Sequence, residues 1–444
     1  MAEAANLGFR HHLRFENGQL AFDGIPCEIL AKNYGTPLYV ISENRIRQNF
    51  HSFHGALTRL YEKILVCPAY KANSHLAVAR IYQNEGAGAE VVSGMELKMA
   101  LASGVDPERI VFNGPGKSTG DLELAISLEI GLINVDSLAE IKRLQDVATR
   151  LGKKCNVGIR INPGVSPKTH PHLATASREQ KFGIWIGDST KAYREASRNS
   201  VLNVVGVHCH VGSNISEPRI FHQMATRIFR LVDSLREKLG LNLTKIDLGG
   251  GLGFPYQLGS RRMSEEQYAS SVLAENLKVL KRLGSPLLIF EPGRTLIADL
   301  SILLTRVAVL KRQGRIDWGI VDAGMNAFLR PALYGAKHQV VAVRGNPAKA
   351  RYTLGGPCCE SADVIARNVK LPKLSEGDLL AVLDVGAYGF TMASNYNGQP
   401  RPAVLLVTES QPHLIRRRES YEDLVAEESL PAHLRGGESF DTTS

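Results

Sequence analysis

Ile64-Leu65-Val66-Cys67-Pro68-Ala69-Tyr70-Lys71-Ala72-Asn73 is an apolar run that ends in a single lysine, and His75-Leu76-Ala77-Val78-Ala79-Arg80 after it has the pattern of a helix. A cation at the end of a buried strand is costly unless it reaches water or is used there. The plainest account is a strand-end lysine that snorkels along its alkyl stem. The chemical account is a desolvated amine acting as a nucleophile toward a carbonyl cofactor. The stretch alone does not choose between them, so its neighbours must.

Downstream the same unit repeats. Short apolar runs recur at residues 87–92, 109–112, 131–135, 155–161, 204–210, 243–248 and 286–290, and helical patterns lie between them at 95–103, 118–130, 137–151, 218–239 and 264–283. Eight strands alternating with helices over this length predict an α/β fold, a (β/α)8 TIM-like barrel. A doubly wound sheet would place its phosphate glycines after the first strand, whereas here Gly249-Gly250-Gly251 follows the seventh.

Outward from the barrel the composition changes. Leu13–Glu16 and Gln19–Phe22 flank Asn17-Gly18, a hairpin signal, and residues 1–42 as a whole read as strands. From Ser42 a capped helix runs toward Leu60. Beyond residue 300, strand-like runs at 301–310, 316–321, 339–343, 351–354, 379–383, 404–407 and 413–416 predict a mostly β C-terminal domain, which the N-terminal strands join. The expected division is residues 1–42 with the β domain, 43–299 as the barrel, 300–429 as the β domain, and 430–444 as a disordered tail rich in Gly, Glu, Ser and Thr. Residues 163–202 are expected to fold over the barrel mouth.

Composition narrows the function. The 444 residues are 44% apolar and 22% charged with a net charge of +9, and no basic stripe with interleaved aromatics suggests nucleic acid. No apolar run is long enough to span a bilayer. The six cysteines have no C-x-x-C spacing, which suits a reducing compartment. The first residues show no signal-peptide pattern, so a cytoplasmic location and no membrane partner are expected.

The strand tips carry the chemistry. In a barrel they share one face, the C-terminal mouth. Lys71, Ser93, Asn113, Asp136, Asn162, His210, the glycines 249–251 and Glu291-Pro292-Gly293-Arg294 all fall there. The glycines offer bare backbone N–H groups for a phosphate, although such clusters also serve as tight turns. Glu291 and Arg294 could equally be a structural ion pair. His208 and His210 share a face and suit a metal, a stacked ring or a packed core. No third ligand motif accompanies them, and no metal is expected. Together an amine, a phosphate nest, a carboxylate and a flat ring are what pyridoxal phosphate requires.

These residues stand in a longer series of motifs: Tyr70-Lys71-Ala72-Asn73, Val91-Val92-Ser93-Gly94, Thr169-His170-Pro171, Lys181-Phe182-Gly183, His208-Cys209-His210-Val211-Gly212-Ser213, Gly249–Gly253, Glu291–Arg294, Asp322–Asn326, Arg330–Tyr334, Gly356-Pro357-Cys358-Cys359-Glu360-Ser361, Gly386–Gly389 and Arg416–Glu419. In this order they resemble the barrel-type (fold III) pyridoxal-phosphate decarboxylases, most closely the branch acting on diaminopimelate. The resemblance implies that Lys71 holds the cofactor's aldehyde and His210 stacks on its ring. It implies Ser213, Gly251 and Gly293 at the phosphate, with Gly250 and Arg294 also in the cofactor's site, and Glu291 at the pyridine nitrogen. Arg294, Arg330 and Tyr334 would hold the amino-acid substrate, and Tyr388 would touch both cofactor and substrate. Cys359 would return a proton to the substrate carbon, and Glu360 would read the far amino group. Both would come from the partner subunit of a homodimer.

An Arg fork matches a carboxylate, so Arg330 with Tyr334 favours a substrate with a distal carboxylate over a plain diamine precursor. Glu291 argues against a racemase of similar fold, and intact Lys71 and Cys359 argue against a non-catalytic relative. Three positions depart from the family pattern: Ala174–Arg178 lacks a glycine, Asn214 stands for Gln, and Ala327 stands for Asp. They leave a related decarboxylase acting on another carboxylate-bearing amino acid as the alternative.

Overall fold

Eight parallel strands wrap into the expected barrel: Ile64–Val66, Ala89–Val91, Ile110–Phe112, Leu132–Val135, Cys155–Asn162, Leu202–His208, Lys245–Asp247 and Leu287–Phe290. The structure is a computed structural model and describes residues 7–8, 10–165, 180–257, 259–260, 262–344 and 350–434. Each strand pairs with its sequence neighbour, and the eighth returns to the first in the register Leu288↔Ile64, Ile289↔Leu65 and Phe290↔Val66. The first and second strands close the ring just past their regular parts. There Gly88 N donates to Val66 O at 2.9 Å, Glu90 N donates to Pro68 O at 3.2 Å, and Ala69 bridges Glu90.

Most strands are shorter than the apolar runs, the first of them markedly so. The first stops at Val66 because Pro68 has no N–H to offer the ladder. The chain then tightens into a one-turn helix at Tyr70–Ala72 that carries Lys71. The helices begin where serine supplies an acceptor for the first free N–H groups: Ser42 caps Glu43–Thr58, Ser93 caps Gly94–Ala102, Ser118 caps Thr119–Ser127 and Ser137 caps Leu138–Leu151. Pro218–Leu239 buries Ile220, Phe221, Met224, Ala225, Ile228, Phe229, Val232 and Leu235, a 3–4 spacing that lays one face on the barrel.

Four expectations change. The single helix over 264–283 is two, Glu265–Leu273 and Leu277–Arg282, because Asn276 bonds back to Val272 O at 2.8 Å. Residues 1–42 are not all strand: Cys27–Tyr34 is a helix between Pro26 and Gly35, with Cys27, Leu30 and Ala31 buried. A further strand, Val364–Leu371, pairs antiparallel with Ala350–Gly355. Of residues 163–202, Phe182 does line the cavity at the mouth, whereas the helix Ser189–Ser197 packs as an ordinary crossover. Residues 166–179, which hold Thr169-His170-Pro171 and Ala174–Arg178, lie outside the described residues, as does 435–444 of the expected tail.

The β part is organised around the long strand Ser301–Gln313. Its first half pairs with Leu38–Ser42 and with Leu379–Val382, and its second half pairs with Ile316–Val321. Leu38–Ser42 therefore lies inside the sheet, with Ala403–Thr408 parallel on its other side. Leu38, Val40, Ile302, Leu304, Ala381, Leu405 and Val407 form the core there. Arg10 and Asp384, both fully buried, form an ion pair that ties the N-terminal segment to this sheet.

Candidate active site

The barrel interior is apolar below and polar above. Leu65, Cys67, Val111, Leu132 and Ile289 fill its floor. Two residues further along the strands, inward positions change to Glu90, Asn113, Asn134, Asp247 and Glu291, all buried. Buried polar groups must satisfy one another, and here all but the Asn134 Oδ1 find partners. Asn113 Nδ2 donates to Glu90 at 3.1 Å and also to Glu291; Asn134 Nδ2 donates to Asn113 Oδ1 at 2.9 Å and to Asp247 at 3.2 Å. Asp247 also accepts from Gly249 N at 2.9 Å. His208 Nε2 lies 3.4 Å from Glu291, without hydrogen-bond geometry at either ring nitrogen.

His208, Asp247 and Glu291 stand close enough to invite a metal, their ligand atoms lying within 4.8 Å of one another. The two carboxylates cannot both be charged so close together in a dry site. Burial and the Glu291 charge push Asp247 well above the usual carboxylate range. Burial would raise Glu291 too, but His208, Lys71 and the proton on Asp247 outweigh it and keep Glu291 ionised. The pair thus presents one carboxylate, that of Glu291, to the cavity above it.

That cavity, about 440 Å³, is lined by Lys71, Glu90, His210, Ser213, Gly251, Glu291, Gly293, Arg294, Tyr334 and Tyr388, among others. Nine of the thirteen residues singled out in the sequence therefore meet at one mouth. A tenth, Gly250, lies directly behind it, donating its N–H to His210 Nδ1 at 3.2 Å. Burial, Arg160 and Lys71 lower the His210 pKa to about 3, so the ring is a neutral, flat surface.

Lys71 is not simply a desolvated amine. Its side chain stays 40% exposed to the cavity, and its ammonium pairs with Glu90. Burial works against the charge, but Glu90, Tyr388 and Glu291 outweigh it and raise the pKa above the ordinary lysine value. Lys71 is a protonated amine with a buried base against it.

Arg294 begins a short helix after Gly293 and turns both ways. It donates to Ser213 Oγ at 3.3 and 3.2 Å and to Tyr256 Oη at 2.7 Å. Arg294 and Tyr334 also line a second cavity of about 560 Å³, which contains Arg330, Tyr256 and Asn214. Arg330 is buried, donates to His338 Nε2 at 2.9 Å and lies over the Tyr256 ring at 4.6 Å. Neither arginine has a carboxylate partner among the described residues. Asn214, at φ 62°, accepts from Phe254 N at 3.1 Å. Ala327 is buried, its carbonyl accepting from the Tyr39 hydroxyl at 2.8 Å.

Two candidates stand apart. Cys359 is exposed, with its N–H on Asn397 Oδ1 at 2.6 Å, and Glu360 is exposed beside it. Neither lines the two cavities of this chain. The sequence reading also missed residues that build the site: Glu90, Asn134, Arg160, Asp247, Tyr256 and His338. The usable signal for the strand residues was a lone polar side chain within an apolar run, as in Ile133-Asn134-Val135.

The site fits pyridoxal phosphate. A Cβ at Gly251, where φ is +110°, would lie 2.5 Å from Gly212 O, so only a bare backbone opens the nest there. That nest, a lysine half-open to the cavity and an ionised carboxylate line one cavity, the constellation of a pyridoxal-dependent enzyme on a barrel. Residues 43–298 match the family model described as pyridoxal-dependent decarboxylase, pyridoxal binding domain. The chain is 42% identical over 418 residues to a diaminopimelate decarboxylase of Pseudomonas aeruginosa, covering 94% of this chain and 98% of that one. A crystal structure of diaminopimelate decarboxylase from M. jannaschii in complex with L-lysine superposes with a TM-score of 0.92 at 38% identity, over 96% of this chain and 99% of the other. A Helicobacter pylori diaminopimelate decarboxylase complexed with L-lysine gives a TM-score of 0.85 at 36% identity, covering 90% and 98%. The chain belongs to the diaminopimelate decarboxylase family.

Proposed function

We propose that this protein decarboxylates meso-2,6-diaminopimelate at its D-centre, releasing CO2 and L-lysine, with the site residues acting as follows. The observation that carries the substrate is the pair Arg294 and Arg330, buried guanidiniums without a carboxylate partner among the described residues. Buried cations are stable when a ligand supplies the anion. Arg294 faces the cavity of Lys71 and suits a phosphate or the near end of the substrate. Arg330 in the adjoining cavity suits a carboxylate at the far end. A diamine precursor lacking that carboxylate leaves Arg330 unanswered.

Pyridoxal phosphate, when bound, supplies the sink for the electron pair left as the carbon–carboxylate bond breaks. The chain positions it. Lys71 Nζ would hold the aldehyde, and Glu90 is placed to take the proton that the ammonium would first lose. Ser213 and the bare amides of Gly251 and Gly293 would receive the phosphate, while Gly250 N–H holds His210, which would offer its neutral ring face. Glu291, kept ionised beside the protonated Asp247, would hold a proton on the ring nitrogen. Tyr388 stacks against the Arg294 guanidinium at 5.1 Å, between the cofactor and substrate ends. Cys359 gives a proton to the substrate carbon after CO2 leaves, and Glu360 reads the distal ammonium. Because both lie outside this chain's cavities, a second copy delivers them and the active unit is a homodimer. Six free thiols, five of them buried, support a reducing, cytoplasmic location. Among the described residues no helix is long and apolar enough to cross a membrane.

A panel of amino acids read by CO2 release tests the substrate. Release from meso-2,6-diaminopimelate and not from D-lysine or L-ornithine is expected, and the reverse pattern overturns the assignment. Mixing inactive Lys71→Ala and Cys359→Ala proteins tests the shared site. About a quarter of the parent activity should return, since random pairing gives one competent site in four, and no recovery removes the partner's role.

A further inference from the structure

Two guanidiniums gathered around one tyrosine repel each other, and burial discourages both charges. Charged neighbours of opposite sign would be the ordinary remedy, but an acid at either arginine would also occupy the site. The structure meets the problem with uncharged groups. The Tyr256 ring lies under Arg330 at 4.6 Å and near Arg294 at 5.7 Å, while its hydroxyl oxygen accepts from Arg294 Nη1 at 2.7 Å. One side chain therefore touches both cations, each through its negative face or lone pair.

His338 completes the arrangement. Arginine has only donors, so His338 Nε2 must be the acceptor in its 2.9 Å contact with Arg330, and the ring proton sits on Nδ1. That Nδ1–H donates to Leu383 O at 2.9 Å, which fixes the tautomer. Tyr256 and Phe328 pack against the ring, each with centroids 4.7 Å away. The largest charge effects on it come from Arg330, Arg294 and, further off, Arg10, all cations; Asp384, beside Leu383, is paired with Arg10. Burial and these cations lower the His338 pKa to about 3, so the ring remains an acceptor across the working pH range.

We propose that Tyr256 and His338 are positioning residues that hold the Arg330 and Arg294 guanidiniums in place without neutralising either, leaving both charges free for an anionic substrate. The inference rests on the reading of these arginines as the anion-binding groups. It goes beyond that reading in assigning the selectivity for a distal carboxylate to two uncharged side chains that need not touch the substrate.

The test uses the cofactor-loaded enzyme and the variants His338→Leu, His338→Gln, Tyr256→Leu and Arg330→Gln, each first checked for cofactor absorbance and melting temperature. His338→Leu and Tyr256→Leu should raise KM for meso-2,6-diaminopimelate about tenfold or more, the scale of a hydrogen bond to a charged group, with a much smaller fall in kcat. They should also lower the preference for this substrate over D-lysine. His338→Gln, which keeps an acceptor and guards against a folding defect, should recover part of the KM. Unchanged KM and preference in the His338 and Tyr256 variants, with a raised KM in Arg330→Gln, overturn the positioning role and leave the reading of Arg330 intact. An unchanged KM in Arg330→Gln removes that reading and the inference with it.

Discussion

Gly250→Ala adds one carbon where the seventh and eighth barrel strands approach most closely at the mouth. That carbon would lie 2.2 Å from the Glu291 carbonyl oxygen, 3.0 Å from its carbon and 3.4 Å from Pro292 Cα. Comfortable contact begins near about 3.5 Å, so the two segments must part by on the order of 1 Å. All three opposing atoms belong to the main chain or are fixed to it, and no side chain can swing aside. The displacement falls on the 2.8 Å bond from Glu291 N to Gly249 O, and through it on Glu291, Gly251 and Gly293. Overpacking of this kind costs about 1–3 kcal/mol. If the strain is felt mainly in the bound geometry, cofactor affinity falls by about one to two decades. Titrating cofactor-free protein with pyridoxal phosphate and following absorbance measures it directly. Gly120→Ala is the control: it lies in the helix Thr119–Ser127 with its nearest obstacle, Ser118 Oγ, 3.9 Å away, and should leave affinity unchanged while adding about 0.5–1 kcal/mol of stability. A Gly250→Ala protein with the parent's affinity and melting temperature would refute the close-approach argument.

Three further outcomes follow from the buried charges. Glu291→Gln keeps the shape but removes the carboxylate, and should lower kcat by about 10²–10³, the scale of losing one preorganised electrostatic contact, while cofactor absorbance persists; a kcat within tenfold of the parent would count against the role of Glu291. Asp247→Asn tests the shared proton. Burial and Glu291 raise the Asp247 pKa, so the folded parent holds a proton that the unfolded chain has released above about pH 4, and its stability falls as pH rises from there. The variant has no such step, so its melting temperature should gain on the parent's between pH 5 and pH 8; a constant gap contradicts this. Arg10→Met leaves Asp384 buried without its cation and should destabilise by about 3–5 kcal/mol, measured by denaturant unfolding, with the loss concentrated in the β part.

The barrel was legible because its signal is rhythmic. Each of eight apolar runs overlaps an observed strand, and serine caps marked several helix starts. The residues at the strand tips were legible for the same reason: a barrel sends them all to one mouth, so position along the strand predicts convergence. What stayed hidden depended on contacts between distant segments. Nothing local distinguishes Asp247, held protonated by Glu291, from an ordinary strand aspartate. Lys71 reads as an ammonium rather than a free amine only once Glu90 is known to face it. Tyr256 and His338 come from separate loops and acquire meaning only where both meet Arg330. The helix Cys27–Tyr34 was a plainer miss, since Pro26 and Gly35 bracket it and Cys27, Leu30 and Ala31 share its inner face.

The strand Leu38–Ser42 sits between Ser301–Leu304 and Ala403–Val407, and this has a consequence for synthesis. A chain leaving the ribosome N-terminus first exposes this five-residue apolar segment long before either partner exists. The barrel can close and acquire its core while the segment waits at its edge, tethered by the helix Glu43–Thr58. Only when residues 403–407 emerge can the sheet enclose it. The order of manufacture is therefore barrel first and β part last, and truncation before residue 403 leaves a bare, aggregation-prone strand edge.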